Sequence, residues 1–323
     1  MLTDRFQRSM SSLRVSVTDR CDLRCRYCMP ATGAVFAPRP DLLGLDELTR
    51  SLELFLRLGV TRLKFTGGEP LLRTDLEALI AAFAGRVEMG LTTNGTLLAG
   101  RAAGLWQAGL RRLTVSLDTL HPGHYAAMTR GGDVRRVLDG LRAAEAAGFE
   151  GLKLNAVLMD QPMEELLRLA ALSVSGDWEI RFIEAMPVSA GVDIGTGRLH
   201  RPAELRAAIE AAFGPLESLD RERTASPATR GRIRGARGRL GFISSVSEPF
   251  CQACDRLRLQ ADGFLRLCMA KPDGLQLRPL LRSGATDQEL EAAVRQAVWN
   301  KPSGHAFNTV APVQGAQMSS IGG

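Results

Sequence analysis

Two hydrophobic periods alternate along the first half of the chain. Runs of apolar or alternating residues at 13–17, 62–66, 88–93, 113–117, 151–158 and 178–183 read as strands. Between the first two, Leu45, Leu48, Leu52, Phe55 and Leu56 fall on one helical face that Gly59 ends. The same period returns at 75–84, through Trp106 to Gly109, at 133–147 before Gly148, and at 163–173. Strands alternating with helices imply parallel strands and right-handed crossovers. Six units are fewer than the eight that close a TIM barrel. The expected fold is therefore α/β, a partial, open (β/α)6 barrel of the TIM type, with functional residues where strands end and loops begin.

Past residue 184 the rhythm breaks. The stretch 191–201 is rich in glycine and polar residues, 200–213 has helical character, and 219–239 is charged and irregular. A strand is expected at 240–246 and a last helix at 287–299. This divides the chain into 1–183, the barrel, and 184–323, a C-terminal extension.

Composition adds two constraints. No apolar run approaches a membrane span and 1–12 lacks a secretory h-region, so a cytoplasmic location is expected. The net charge is +6, carried almost wholly by arginine, since Lys64, Lys153, Lys271 and Lys301 are the only lysines. That balance suits an anionic partner, nucleic acid or a polyphosphate. The arginine run at 230–239 has few aromatics among it and reads as a solvated loop or hairpin.

The candidate chemistry lies in the cysteines. They form two groups, Cys21, Cys25 and Cys28, then Cys251, Cys254 and Cys268. In a cytosolic chain, grouped thiols are better read as metal ligands than as disulfides. A [4Fe–4S] cubane usually takes four cysteines, so three leave one iron open to a small molecule. A structural zinc would need a fourth ligand; none of the four histidines is close in sequence to the second group, although folding could bring one near. Gly67-Gly68-Glu69-Pro70 places backbone N–H groups at a strand end. Arg256 and Arg258 share one side of an extended segment beside the second group, where guanidiniums suit phosphate.

C-x3-C-x2-C with Tyr27 before its last cysteine, followed one βα unit later by Gly-Gly-Glu-Pro, resembles the signature of the radical S-adenosylmethionine (SAM) enzymes. With Leu13-Arg-Val-Ser-Val-Thr-Asp-Arg-Cys21, Leu91-Thr-Thr-Asn-Gly95, Val115-Ser-Leu-Asp118, Ile180-Arg-Phe-Ile-Glu184, the second cysteine group and the Ile-Gly-Gly terminus, the chain is similar over nearly its whole length to the GTP 3′,8-cyclases of molybdenum cofactor biosynthesis.

The resemblance implies two [4Fe–4S] clusters, one on Cys21, Cys25 and Cys28 with SAM, the other on Cys251, Cys254 and Cys268 meeting the guanine of GTP. Tyr27, Gly68, Ser116 and Met186 would line the SAM pocket, and Arg14, Lys64, Thr92, Lys153, Arg181, Arg256, Leu257 and Arg258 would contact GTP. Of these, Arg14, Lys153, Arg256 and Arg258, with Gly322 and Gly323 of the tail, would serve catalysis. An adenosyl radical would take the ribose 3′ hydrogen, and the 3′ carbon would attack C8 of guanine. The product would be (8S)-3′,8-cyclo-7,8-dihydroguanosine 5′-triphosphate. It further implies an electron donor, a downstream cyclic pyranopterin monophosphate synthase, a homodimer, and neither nucleic acid nor membrane as partner. Lys64 departs from the family's usual arginine, keeping the charge without the bidentate fork. The alternatives are another two-cluster radical SAM enzyme acting on RNA or peptide, and an iron–sulfur or zinc protein that binds nucleic acid.

Overall fold

The structure is a computed structural model that describes residues 1–32, 34–188, 199–223, 225–305, 307 and 318–322. Gly323 and most of the 191–201 stretch therefore lie outside the described residues. The barrel alternates β1 (Ser12–Ser16), α1 (Leu45–Arg57), β2 (Arg62–Thr66), α2 (Leu76–Ala82), β3 (Glu88–Thr93), α3 (Ala102–Gln107) and β4 (Arg112–Ser116). It continues with α4 (Pro122–Thr129), α5 (Val134–Ala146), β5 (Lys153–Leu158), α6 (Met163–Ser175) and β6 (Glu179–Glu184). All six expected strands are present, each starting and ending within two residues of its expected bounds. Helix α4 lies in a stretch to which the hydrophobic pattern assigned no element. Pro122 occupies the first helical turn, where its missing N–H costs nothing, behind a His121 N-cap.

The extension is built into the same sheet. After α7 (Pro202–Phe213) come β7 (Leu216–Leu219), β8 (Thr229–Ile233), β9 (Arg239–Ile243), β10 (Arg256–Leu259), β11 (Phe264–Arg266) and β12 (Gly274–Gln276). The helices α8 (Arg278–Arg282), α9 (Asp287–Trp299) and α10 (Met318–Ile321) complete the described elements. Strand β9 adds parallel to β6 and β10 adds parallel to β1, so the extension lengthens the barrel at both edges. The strand order is β12-β11-β10-β1-β2-β3-β4-β5-β6-β9-β8-β7. Part of the expected irregular stretch 219–239 is thus an antiparallel pair, β7 with β8, running on into β9. Gly231 and alternating arginines on β8 hide it from an apolar-periodicity reading.

The two faces of the sheet have different work. Leu13, Val15, Leu63, Phe65, Leu91 and Leu154 are buried against the helices and carry the core. The alternate positions point into the lumen, and strand pairing brings their charges level: Arg14 faces Lys64 on one side and Arg258 on the other. Thr92 is level with Thr114, Thr114 with Lys153, and Asn155 with Arg181. A period of two thus separates a dry outer layer from a polar interior.

Candidate active site

The first cysteine loop is held from several directions. Backbone N–H groups of Gly68 and Glu69 donate to Thr18 O (2.8 Å) and Arg20 O (2.7 Å). A Cβ on Gly68 would meet Arg20 O at 2.2 Å, so only glycine permits this approach. Asp22 accepts from Asn94 Nδ2 (2.7 Å) and Thr96 Oγ1 (2.5 Å), which ties the loop to the end of β3. Tyr27 Oη donates to Asp118 Oδ2 (2.9 Å), tying it to the end of β4. Glu69 is buried and accepts from Leu71 N, Thr93 Oγ1 and Asn94 N, locking the Gly-Gly-Glu-Pro turn to β3. Burial pushes the Glu69 carboxyl up to about 7, despite those donors. Burial likewise pushes the Cys21 and Cys28 thiols up to about 12, and Cys25 rises for the same reason.

The second group sits on the connection from β9 to β10 and just after β11. Arg8, paired with Asp4 (2.6 Å), donates to Cys251 O (2.8 Å), Ser303 O (2.8 Å) and Pro302 O (2.6 Å), fastening the N-terminal segment to this loop. The buried Lys301 donates through Nζ to Arg256 O (2.9 Å) and Leu267 O, next to Cys268.

All six cysteines line a single open cavity of about 300 Å³. Tyr27, Gly68, Ser116 and Met186 line it too, as do Arg14, Thr92, Arg256 and Arg258. Within it, Thr92 Oγ1 and Asn155 Oδ1 are buried without a hydrogen-bond partner. Two such atoms mark places where a ligand's polar groups are needed. The tail enters as well: Arg14 Nη1 donates to Gly322 O (3.1 Å), and Arg258 Nη1 to Ile321 O (2.9 Å) and Gly322 O. Gly322 has φ +74° and lies against Thr66 and Ser16, which leaves no room for a side chain.

Lys64, Lys153 and Arg181 lie deeper in the lumen and do not line the cavity. Lys64 Nζ donates to Thr114 Oγ1 (3.1 Å); burial, then Arg14, Arg181 and Lys153, lower its pKa well below the lysine range. Lys153 and Arg181 meet Glu222 at 3.0 and 3.5 Å, and Arg181 also meets Glu179 at 2.5 Å. Burial, Arg256 and Arg181 lower Arg14 to about 10, which leaves it charged at neutral pH. The Leu257 side chain is fully buried in the hydrophobic core, so it offers a ligand only its backbone.

Sequence reasoning missed Asn94 and Thr96 as supports, and Glu222 and Lys301 as partners of the charged lumen. Lys301 carried a usable signal, being one of four lysines among 41 basic residues. Glu222, inside the arginine-rich stretch, carried none.

The donor set bears on which metal fits. Each triad offers three thiols to the shared cavity, whereas a structural zinc would take a fourth protein ligand. Three thiols suit a polynuclear cluster, in which each thiolate binds a different iron and one iron is left open.

The Radical SAM superfamily model matches residues 15–172, and the Molybdenum Cofactor Synthesis C model matches 178–307. A GTP 3′,8-cyclase of Mycobacterium marinum is 45% identical over 100% of this chain and 92% of its own length. The GTP 3′,8-cyclase 2 of Mycobacterium tuberculosis is 43% identical, with the same coverage of both chains. Among solved structures, Streptococcus suis SuiB bound to precursor peptide SuiA superposes with a TM-score of 0.65. It is 16% identical and covers 93% of this chain and 72% of SuiB, a likeness of fold alone.

Proposed function

This chain belongs to the GTP 3′,8-cyclase family of radical SAM enzymes, and from that premise we propose that it converts GTP to (8S)-3′,8-cyclo-7,8-dihydroguanosine 5′-triphosphate for molybdenum cofactor biosynthesis. The observation that carries this reading is the one cavity shared by both cysteine triads and by Arg14, Arg256 and Arg258. In it, Cys21, Cys25 and Cys28 hold a [4Fe–4S] cluster, with Tyr27, Gly68, Ser116 and Met186 around SAM. Cys251, Cys254 and Cys268 hold the second cluster. A cluster held there would supply the electron for reductive cleavage of SAM.

The protein's own share is placement and charge. Thr92 and Asn155 offer unpartnered polar atoms to the substrate. Arg256 and Arg258 stand beside the second triad. Arg14, Lys64, Lys153 and Arg181 supply the field a triphosphate needs. In this reading residues 1–183 carry the SAM cluster, and 184–323 carry the second triad, Met186 and the tail. We further take an electron donor, a downstream cyclic pyranopterin monophosphate synthase, a homodimeric state and a cytoplasmic location as part of this reading. Among the described residues no helix is long and apolar enough to cross a membrane.

The test is anaerobic reconstitution followed by incubation with GTP, SAM and reductant. About eight irons per chain and a 3′,8-cyclised nucleotide are expected. Zinc with little iron, or GTP recovered unchanged while SAM is cleaved, would overturn the reading.

A further inference from the structure

Outside the cavity, one cluster of ligating side chains has no part in the proposed reaction. His121 caps α4, and its Nδ1 accepts the His124 N–H at 3.2 Å, so its Nε2 is left to face outward chemistry. His124, one turn on, places Nδ1 against Glu165 Oε1, and the two imidazole rings lie 4.3 Å apart. Glu165, in the first turn of α6, is only 7% exposed. Its other oxygen accepts the Thr119 hydroxyl, and Thr119 Oγ1 in turn accepts the His121 N–H at 3.0 Å. Among the described residues Glu165 has no arginine or lysine partner; His124 is its one ion-pair neighbour.

A nearly buried carboxylate needs a positive charge beside it. A cation shared with the two imidazoles supplies one. We propose that His121, His124 and Glu165 form a binding site for a divalent transition-metal cation, zinc foremost. Two nitrogen donors with one carboxylate favour zinc over magnesium or calcium. The ligand atoms lie within 4.8 Å of one another, and small swings of the exposed rings bring them to the roughly 3.4 Å separations of a tetrahedral ion. Thr119 orients the carboxylate, in the manner of outer partners at metal sites. The fourth position is left to water. The ion clamps the segment after β4, which carries Asp118, to α6.

The test is calorimetric titration of ZnCl2 into the cluster-loaded full chain freed of adventitious zinc, whose cysteine thiolates are already occupied. His121→Asn keeps an N-cap, and His124→Gln changes an exposed helical position, so both variants retain the fold. One equivalent of zinc should bind the wild type, and about 100-fold more weakly in each variant. The melting temperature should rise with zinc in the wild type alone. No saturable binding in the wild type, or isotherms unchanged in the variants, would overturn the site.

Discussion

Glu222→Gln probes the charged lumen most directly. Its carboxylate lies 2.7 Å from Arg112 Nη1, 3.0 Å from Lys153 Nζ and 3.5 Å from Arg181 Nη2, cations of three neighbouring strands. Burial alone would raise its pKa, yet Lys153, Arg112 and Arg181 outweigh burial and hold it at about 2, against an ordinary 4.5. At about 1.4 kcal/mol per unit the difference amounts to about 3 kcal/mol. The side chain keeps 27% of its exposure, so solvent screening reduces this to about 2 kcal/mol. The nucleotide-free variant should lose that much stability, melting about 3 °C lower. Because the depressed pKa stabilises the fold at every pH above about 4.5, the loss should be constant from pH 5 to 8. If the triphosphate takes the place of this carboxylate, the same energy returns as affinity. GTP should then bind about 10–30-fold more tightly to the variant, and guanosine unchanged. Calorimetric titration of both ligands into cluster-loaded protein decides. A stability loss with GTP affinity equal to or below wild type would refute the reasoning.

GTP binding should draw in protons, because a polyanion raises the Lys64 pKa that burial and then Arg14, Arg181 and Lys153 lower. Titrations in buffers of different ionisation enthalpy read this directly, and affinity should weaken as pH rises. Glu69, raised by burial to about 7, gives stability that is fully present below about 4.5 and lost as pH rises through 7. Denaturant unfolding should show that slope in the wild type and not in Glu69→Gln, which also loses about 1–3 kcal/mol by opposing an amide to the Asn94 N–H. Deleting Gly322 and Gly323 should abolish cyclisation with a melting temperature near wild type; full activity in the truncated chain would remove the tail from the reaction.

The barrel was legible because its strands obey one rule, apolar outward and polar into the lumen, and its helices follow the complementary period. Arg62–Thr66 and Glu88–Thr93 have the bounds that rule assigns. The thiol motifs were legible because ligand spacing within a loop is local. What escaped depends on pairing between distant segments. Nothing near Arg256–Leu259 says that it lies parallel to Ser12–Ser16, yet that register puts Arg258 beside Arg14. Glu222 acquires its role only when the β7–β8 connection crosses β4, β5 and β6. The Pro122–Thr129 helix escaped for a local reason, since the hydrophobic pattern assigned that stretch no element.

The lumen cations are held by two kinds of acceptor, and the difference has consequences. Arg14 and Arg258 donate to main-chain carbonyls of the tail, neutral groups that fix a guanidinium without cancelling its charge. Lys153 and Arg181 face the Glu222 carboxylate, which neutralises as well as orients. Glu222 therefore masks positive charge deeper in the barrel. An anion entering from the mouth meets Arg14 and Arg258 first and must then compete with Glu222 for Lys153 and Arg181. Such an arrangement costs folding free energy, since buried like charges repel. The cost is tolerable because the dry layer of Leu13, Val15, Leu63 and Phe65 lies on the opposite face of the same strands, where lumen charge does not disturb its packing. Stability and anion affinity are thus set by alternate residues of one strand, so a lumen substitution can change either ligand binding or charge repulsion without opening a cavity in the core.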